Sequence, residues 1–306
     1  MTRYVVAAAL AFALVAGAGY AIYVTWMREP ASAHAATTPP VAPSIAAPVA
    51  APAPEPTVRV VRIEGTVEKR VGASWIPVNA GESLTEQDTI RTGAKARAEI
   101  DVGATVLVEA RTEITVGEIS AHVSQVVLSA GHVSANAQAG TTIRIATPET
   151  ETFAEATAGA FDVLSSGTGQ VTVATKRGNA KVTARGETVA VGEGTQTIVR
   201  HGEAPTEPTA IPSSLFLKIS AAGTDREISA IRGETTPGAV LTINGERTTP
   251  DAAGTFAQRV AFPKGSNVIV IMVEDAMGRQ ETRVVRRTAV HPPVETPKLE
   301  TTVDWK

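Results

Sequence analysis

Val58-Arg59-Val60-Val61-Arg62-Ile63, closed by Glu64-Gly65 and resumed by Thr66-Val67, sets the reading of the whole chain. β-Branched residues dominate it, helical spacing of apolar positions is missing, and a glycine punctuates it. Short runs of this kind suit a pleated, half-buried strand. The same texture continues through residues 98–102, 105–109, 114–116, 123–128, 142–146, 160–164, 170–174, 180–184 and 195–199. Turn signals fall about every 8–12 residues, as in an all-β domain. No stretch here keeps a helical apolar period beyond about two turns. Strands begin directly after a glycine at Gly65-Thr66-Val67, Gly131-His132-Val133 and Gly159-Ala160-Phe161. Ala80-Gly81-Glu82-Ser83-Leu84 is echoed by Arg185-Gly186-Glu187-Thr188-Val189. Repeated strand–turn units that cannot bury a face alone predict solenoid-like stacking. Residues 57–201 are therefore expected to form one all-β domain.

A proline-bearing linker, residues 202–213, leads to a second β region, residues 214–290. Its runs are 215–220, 227–232, 239–243, 255–262, 267–273 and 281–288. Asn244-Gly245 is a two-residue hairpin signal, because both positions tolerate positive φ. Asp251-Ala252-Ala253-Gly254 and Asp275-Ala276-Met277-Gly278 read as further turns. The continuous apolar run 268–273 predicts a central strand covered on both faces. Six or seven strands in roughly 75 residues suit a small immunoglobulin-like β-sandwich. The linker has few residues able to seal an interface, so the two β regions are expected to fold separately and move independently.

A length of 306 residues allows about two domains. Aromatic residues make up only 4% of the chain, so its cores must rest on Val, Ile, Leu and Ala. The net charge of −3 carries no basic footprint, which argues against nucleic acid as a partner. The chain has no cysteine, which excludes disulfides, thiolate metal sites, a cysteine nucleophile and a lipoprotein-type anchor.

Between Arg3 and Arg28 there is no charge, and residues 4–27 are apolar or small. A bilayer core takes about 20 such residues as a helix. Tyr20, Tyr23 and Trp26 gather at the far end, where aromatic rings favour the interface. Two readings stand: an uncleaved anchor over residues 1–28, or a signal peptide cut after Ala33-His34-Ala35. The length of the run favours the anchor. Both readings place the rest of the chain outside the cytoplasm: the anchor as a single-pass inner-membrane protein with a periplasmic bulk, the cut as a protein secreted after cleavage near Ala35. Ala9, Ala13, Gly17 and Ala21 recur on one helix face, a small-residue pattern that permits close helix packing. Residues 29–56, with Pro30, Pro39, Pro40, Pro43, Pro48, Pro52, Pro54 and Pro56, are expected to be an extended stalk. Residues 291–306, with Pro292, Pro293 and Pro297, are expected to be a disordered tail.

Over residues 58–200 the sequence resembles the FecR domain. The carrying stretches are Gly65-Thr66-Val67, Trp75-Ile76-Pro77-Val78 with Gly81-Glu82, and Asp88-Thr89-Ile90-Arg91-Thr92-Gly93 leading to Ala96-Arg97-Ala98-Glu99-Ile100. Leu128-Ser129-Ala130-Gly131-His132-Val133 and Ile145-Ala146-Thr147-Pro148 follow in order. The resemblance implies a β-helical or sandwich-like extracytoplasmic domain. Its best-known members carry a signal from an outer-membrane receptor to a cytoplasmic sigma factor. This chain departs from that plan: only Met1-Thr2-Arg3 precede the apolar run, so anti-sigma helices, and direct sigma-factor control, are not expected. In the second region, Gly233-Glu234-Thr235-Thr236-Pro237-Gly238-Ala239 followed by Ile243-Asn244-Gly245 resembles bacterial Ig-like modules of the glucodextranase B type. So does Gly254-Thr255-Phe256 ahead of Gly265-Ser266-Asn267.

None of His34, His122, His132, His201 and His291 sits in a metal-ligand spacing. His122 and His132, ten residues apart on or beside neighbouring strands, read as two exposed strand histidines, with a shared metal as the alternative. There is no nucleophile elbow and no phosphate-cradling glycine loop after a strand. Glu99 with Asp101, Glu149 with Glu151 and Glu274 with Asp275 are carboxylate pairs of the kind glycosidases use, without a cleft signal beside them. Trp75 is the aromatic residue within the stretches that carry the FecR-like match and is a candidate stacking platform, with hairpin closure over Pro77 as its structural alternative. Arg91 and Arg97 flank the Gly93 turn and are candidates for pairing with carboxylates or a partner. The expectation is a non-enzymatic, membrane-anchored binding or scaffold module of the bacterial envelope, with no cofactor and no metal. Its partner would be an envelope protein or peptidoglycan-type glycan. A FecR-type signalling regulator and an accessory of carbohydrate-active enzymes are the alternatives.

Overall fold

The computed structural model describes residues 58–120, 123–224 and 228–286. The expected span, stalk and tail lie outside these residues. Among the described residues no helix is long and apolar enough to cross a membrane. The described chain is all-β, relieved by one 3-10 turn at Pro148–Thr150.

The first region contributes β1 (Val58–Glu64), β2 (Val67–Val71), β3 (Ser74–Pro77), β4 (Ser83–Leu84), β5 (Thr89–Thr92) and β6 (Arg97–Asp101). β7 (Thr105–Val108), β8 (Glu113–Ile119), β9 (Val123–Ala137), β10 (Thr142–Thr147) and β11 (Thr152–Ala156) follow. β12 (Gly159–Ser165), β13 (Gln170–Ala184), β14 (Glu187–Gly192), β15 (Thr195–Arg200) and β16 (Thr209–Ala210) complete it. They form two layers. Layer A runs β4-β1-β6-β7-β9-β12-β13-β15-β16. Layer B runs β3-β2-β5-β8-β9-β10-β11-β13-β14. Pairing is antiparallel throughout these strands except for β9 with β10. A stacked solenoid would pair its strands in parallel; here most strands return on their neighbours, and the layers close over a shared core.

Strands change layer at corners, as in sandwiches whose edges are bent together. β9 and β13 are each 15 residues long and belong to both layers. Glycine makes the bend in β9: a Cβ on Gly131, whose φ is +112°, would stand 2.3 Å from Thr112 Oγ1. β1 passes into β2 across Gly65, where a Cβ would meet the Lys95 carbonyl at 2.7 Å. The first region was read as having separate strands at 123–128 and after Gly131, and at 170–174 and 180–184. Each pair is one continuous strand, because the intervening glycine bends the backbone without ending the ladder.

Alternation fills the interior. Val60, Ile100, Val106, Val133, Phe161, Val173 and Val199 of layer A meet Ile90, Ile114, Val126, Ile145, Ala154 and Val182 of layer B in one cluster of buried residues. Full burial of one such aliphatic side chain is worth about 1.5–3 kcal/mol.

The second region contains β17 (Leu217–Thr224), β18 (Ile228–Thr235), β19 (Val240–Ile243), β20 (Glu246–Thr248), β21 (Thr255–Ala261), β22 (Val268–Glu274) and β23 (Gln280–Arg286). A three-stranded sheet, β17-β18-β21, and a four-stranded sheet, β20-β19-β22-β23, share a core that includes Ile231, Leu241, Phe256, Ile269 and Ile271. Asn244 and Gly245 have φ of +51° and +93° at the β19–β20 turn, the left-handed pair that the hairpin requires. β22 is not covered on both faces as its apolar run predicts. It alternates, and Val270, 41% exposed, pairs with the equally open Val284 of β23.

The turns of the second region sit on the outer face of layer A. Inner residues Phe161, Val163, Val171 and Val173 are buried in the core, yet their outward neighbours Asp162, Leu164, Gln170, Thr172 and Ala174 are buried too. Leu164 and Ala174 pack with Val240 and Ala276, with Ile211 and Met277 alongside. Thr172 Oγ1 donates to the Gly238 carbonyl at 2.7 Å, and Gln170 Nε2 to that of Ala239 at 3.3 Å. The expectation that little would seal the two regions is corrected here. The seal comes mainly from the turns around 236–240 and 275–278, with Ile211 of the linker packed beside them and Arg279 donating to the Pro212 and Ser213 carbonyls.

Candidate functional site

Two places gather chemistry-bearing side chains. The first is the outer face of layer B. On β2 and β5, Glu68 and Arg91 are cross-strand partners, and Arg91 is also opposite Glu113 of β8. Arg91 Nη2 and Nε both reach Glu68 Oε2 at 2.8 Å. The Arg91 guanidinium lies 4.1 Å from the centroid of the Trp75 ring, so indole, cation and carboxylate form one cluster. A second set repeats the theme: Arg144 Nη2 is 2.9 Å from Glu155 Oε2, and its Cζ is 5.8 Å from the Phe153 ring centroid. Between them runs a register row of mostly small, hydroxyl-bearing residues: Thr89, Thr115, Val127, Ala146, Phe153, Thr183 and Thr188. The two threonine pairs at its ends are hydrogen-bonded, at 2.9 and 2.8 Å. Phe153 is 42% exposed on this face.

Trp75 lies on β3, which among the described residues pairs with β2 alone. That edge is short and ends at Pro77, which has no N–H to offer, so the strand resists extension by a further strand. Arg97 is not part of the cluster. The corner at Gly93 turns the chain from layer B into layer A, and Arg97 pairs there with Glu64 at 2.9 Å. It borders a groove of about 190 Å³ with Arg62, Glu64, Glu99 and Leu107. The structure thus joins Trp75 with Arg91 and separates both from Arg97.

The second place is the seam between the regions. His132, on the outward side of β9, is 2% exposed, which corrects the expectation of an exposed strand histidine. Its Nε2 is 3.2 Å from Asp162 Oδ1 and its Nδ1 is 3.3 Å from Glu274 Oε1 of the second region. The latter is ion-pair distance without the alignment of a straight hydrogen bond. Ser134 donates a short hydrogen bond to Asp162, and Lys176 Nζ lies 2.9 Å from both of its carboxylate oxygens. Arg247 of β20 donates to the Arg111 carbonyl. Burial pushes the His132 pKa down, but the hydrogen bond with Asp162 and the close negative charges of Asp162 and Glu274 outweigh it and raise the value to about 9. Burial pushes Asp162 up, and its hydrogen bond and ion pair with His132, helped by Ser134 and Lys176, bring it below the ordinary carboxylate range. Burial lowers Arg247, opposed by Glu274 and reinforced by Arg111. Beside Asp162 a shallow groove of about 200 Å³ opens between Thr105, Leu107, Asn136 and Arg177.

Of the carboxylate pairs noted in the sequence, Glu274 and Asp275 diverge: Glu274 faces His132, while Asp275 binds Arg279 at 2.6 Å. Among the described residues no group of three His, Cys, Asp or Glu side chains is placed to hold a metal ion. Sequence reasoning missed the seam. A signal was present in Asp162, a carboxylate inside the apolar run 160–164, since a charge in such a strand needs a partner.

No family model matches the chain, and no curated protein matches it. Among solved structures it is similar to two of a proposed anti-sigma factor from Parabacteroides distasonis, each at 16% identity. Their TM-scores are 0.35 and 0.36, over 40% and 42% of this chain and 59% and 60% of theirs. The chain thus spans about 60% of the length of those proteins. A polysaccharide lyase is similar at 7% identity and a TM-score of 0.20, over 75% of this chain and 39% of that one. Likeness at these scores carries no weight for function.

Proposed function

We propose that the chain is a non-enzymatic binding module of the bacterial envelope that presents the outer face of layer B to a cell-wall glycan. In this reading the apolar residues 4–27 hold it in the inner membrane, the stalk 29–56 carries it outward, and the β regions are periplasmic. The observation that supports it most is the Trp75–Arg91–Glu68 cluster on an open face, while part of the opposite outer face is occupied by the second region. An indole offers a stacking surface, and a paired Arg–Glu set beside threonines offers donors and acceptors without a net charge. The Ig-like reading of the second region is supported by its three-on-four strand order. Its place in the fold makes it a buttress for layer A.

Co-sedimentation of the full chain with purified sacculi tests this. Trp75→Ala and Arg91→Ala should each lower the bound fraction severalfold, and Arg97→Ala should not. Absence of binding by the unaltered chain, or equal binding by all three variants, sinks it.

A second reading is a FecR-type regulator of transmembrane signalling linked to a sigma factor. It is favoured by the way the FecR-like glycines, Gly65, Gly93 and Gly131, fall at the corners where the chain changes layer. Reproducible capture of a cytoplasmic sigma factor by the full chain, with no retention on sacculi, would choose it over the first.

A further inference from the structure

The His132 cluster joins elements that are far apart in the chain. Asp162 on β12 and Glu274 on β22 belong to the two different regions, and both face one imidazole. That ring is nearly sealed from water, and the turn at Gly278 closes over it, where a Cβ would come within 3.2 Å of His132 Cε1. The Asp162 side chain is 0% exposed and that of Glu274 13%. Two carboxylates held at one site without water repel unless a cation stands between them. The other charged groups facing the site are Lys176, which is taken by Asp162, Arg247, which acts on Glu274, and Arg111 beyond it. The imidazole is the group that lies within 3.3 Å of both carboxylates.

We infer that His132 is a charge-operated latch: its imidazolium holds the second region docked on layer A, and losing that charge releases the docked turns while each region keeps its fold. The two cores support the last clause, because the first cluster and the second are built from different strands, and the apolar part of the seam between them is small: Leu164, Ala174, Val240 and Ala276. The ring is charged below about pH 9 and neutral above it, so the docked form is the one held at neutral pH. Neutralising the ring leaves Glu274 facing Asp162 across the seam. Glu274, already 13% exposed at the end of β22, then regains water by moving away, which Asp162, 0% exposed in the middle of β12, cannot do.

The chain has no cysteine, so two introduced ones label it uniquely. Lys181→Cys on layer B and Arg259→Cys on β21 are both exposed positions. Spin labels on the full chain in detergent should give one narrow distance well below pH 9. Well above pH 9 that distance should give way to a broad, longer distribution. His132→Gln should show the broad distribution at every pH. Glu274→Gln, which removes the repulsion with little change of shape, should stay narrow at every pH. Circular dichroism on the same samples should keep its strand signal. A narrow distance that persists above pH 9 in the unaltered chain overturns the latch. So does a pH response undiminished in Glu274→Gln, and this second reading stands even where His132→Gln fails to fold.

Discussion

The two outer faces of the first region share one core and have opposite fates. On layer A, β12 and β13 bury residues of both parities, down to a carboxylate, because the turns of the second region lie on them. On layer B, the corresponding outward residues Thr89, Arg91, Thr115, Arg144 and Glu155 remain half-buried, each satisfied by a neighbour on the same sheet. The same kind of ion pair therefore has two different weights. Asp162 with His132 is cut off from water, with only Lys176 reaching it from solvent, and losing the partner strands a charge. Arg144 with Glu155 stays wet, where an ion pair is worth at most about 1 kcal/mol.

The sharpest break of this contrast is Asp162→Ala against Glu155→Ala. Urea unfolding of the full chain should show a loss of about 3–5 kcal/mol for the first, since it leaves the buried His132 without its main anion. The second should cost no more than about 1 kcal/mol. Equal losses would mean that the covered face is as wet as the open one.

Next in size is the pH dependence. His132 has a pKa of about 9 in the folded chain against an ordinary 6.5, so its contribution is complete below about pH 6.5 and fades as pH rises through about 9. That rise is worth on the order of 3 kcal/mol. Asp162, held below its ordinary 3.8, contributes above that value and loses its contribution as pH falls through the lowered one. Stability should be greatest between the two limits, and His132→Gln should flatten the alkaline limb. An alkaline limb unchanged in that variant would assign it to other groups.

Packing gives the third test. Leu164 is 1% exposed at the seam, and Leu164→Ala should cost about 2–4 kcal/mol. Phe153→Ala, on the open face at 42% exposure, should stay within about 1 kcal/mol. A Phe153 loss as large as that of Leu164 would place a hidden cover over layer B.

Much of this was legible in the sequence, and the reasons are local. Alternation in runs such as 97–101 and 89–92 fixes which side faces the core, and Asn244-Gly245 fixes a turn through backbone sterics alone. Trp75 and Arg91 were singled out for their chemistry, and their meeting follows from β2 pairing with both β3 and β5. Long-range relations were not legible. Gly131 marks a break in a hydrophobic pattern whether the strand ends there or bends. Arg91 and Arg97 look like neighbours until the Gly93 corner sends them to different layers. His132 reads as a surface residue because its alternation places it outward, and nothing within β9 announces that another sheet's turn will cover it. The run 268–273 looked doubly buried because hydrophobicity alone does not tell an exposed Val270 from a core one.

β9 and β13, each a member of both layers, have a consequence for how the molecule opens. A pair of sheets joined only by loops can peel apart, one exchanging its amide protons while the other stays closed. Here, layer B cannot lose β9 without unzipping β7 and β12 from layer A, and layer A cannot lose β13 without freeing β11 and β14. Partial opening is left to the rim strands β3, β4, β14 and β16, and everything between them forms one cooperative unit. Amide protons on either side of Gly131 should therefore leave together, at the rate set by global unfolding.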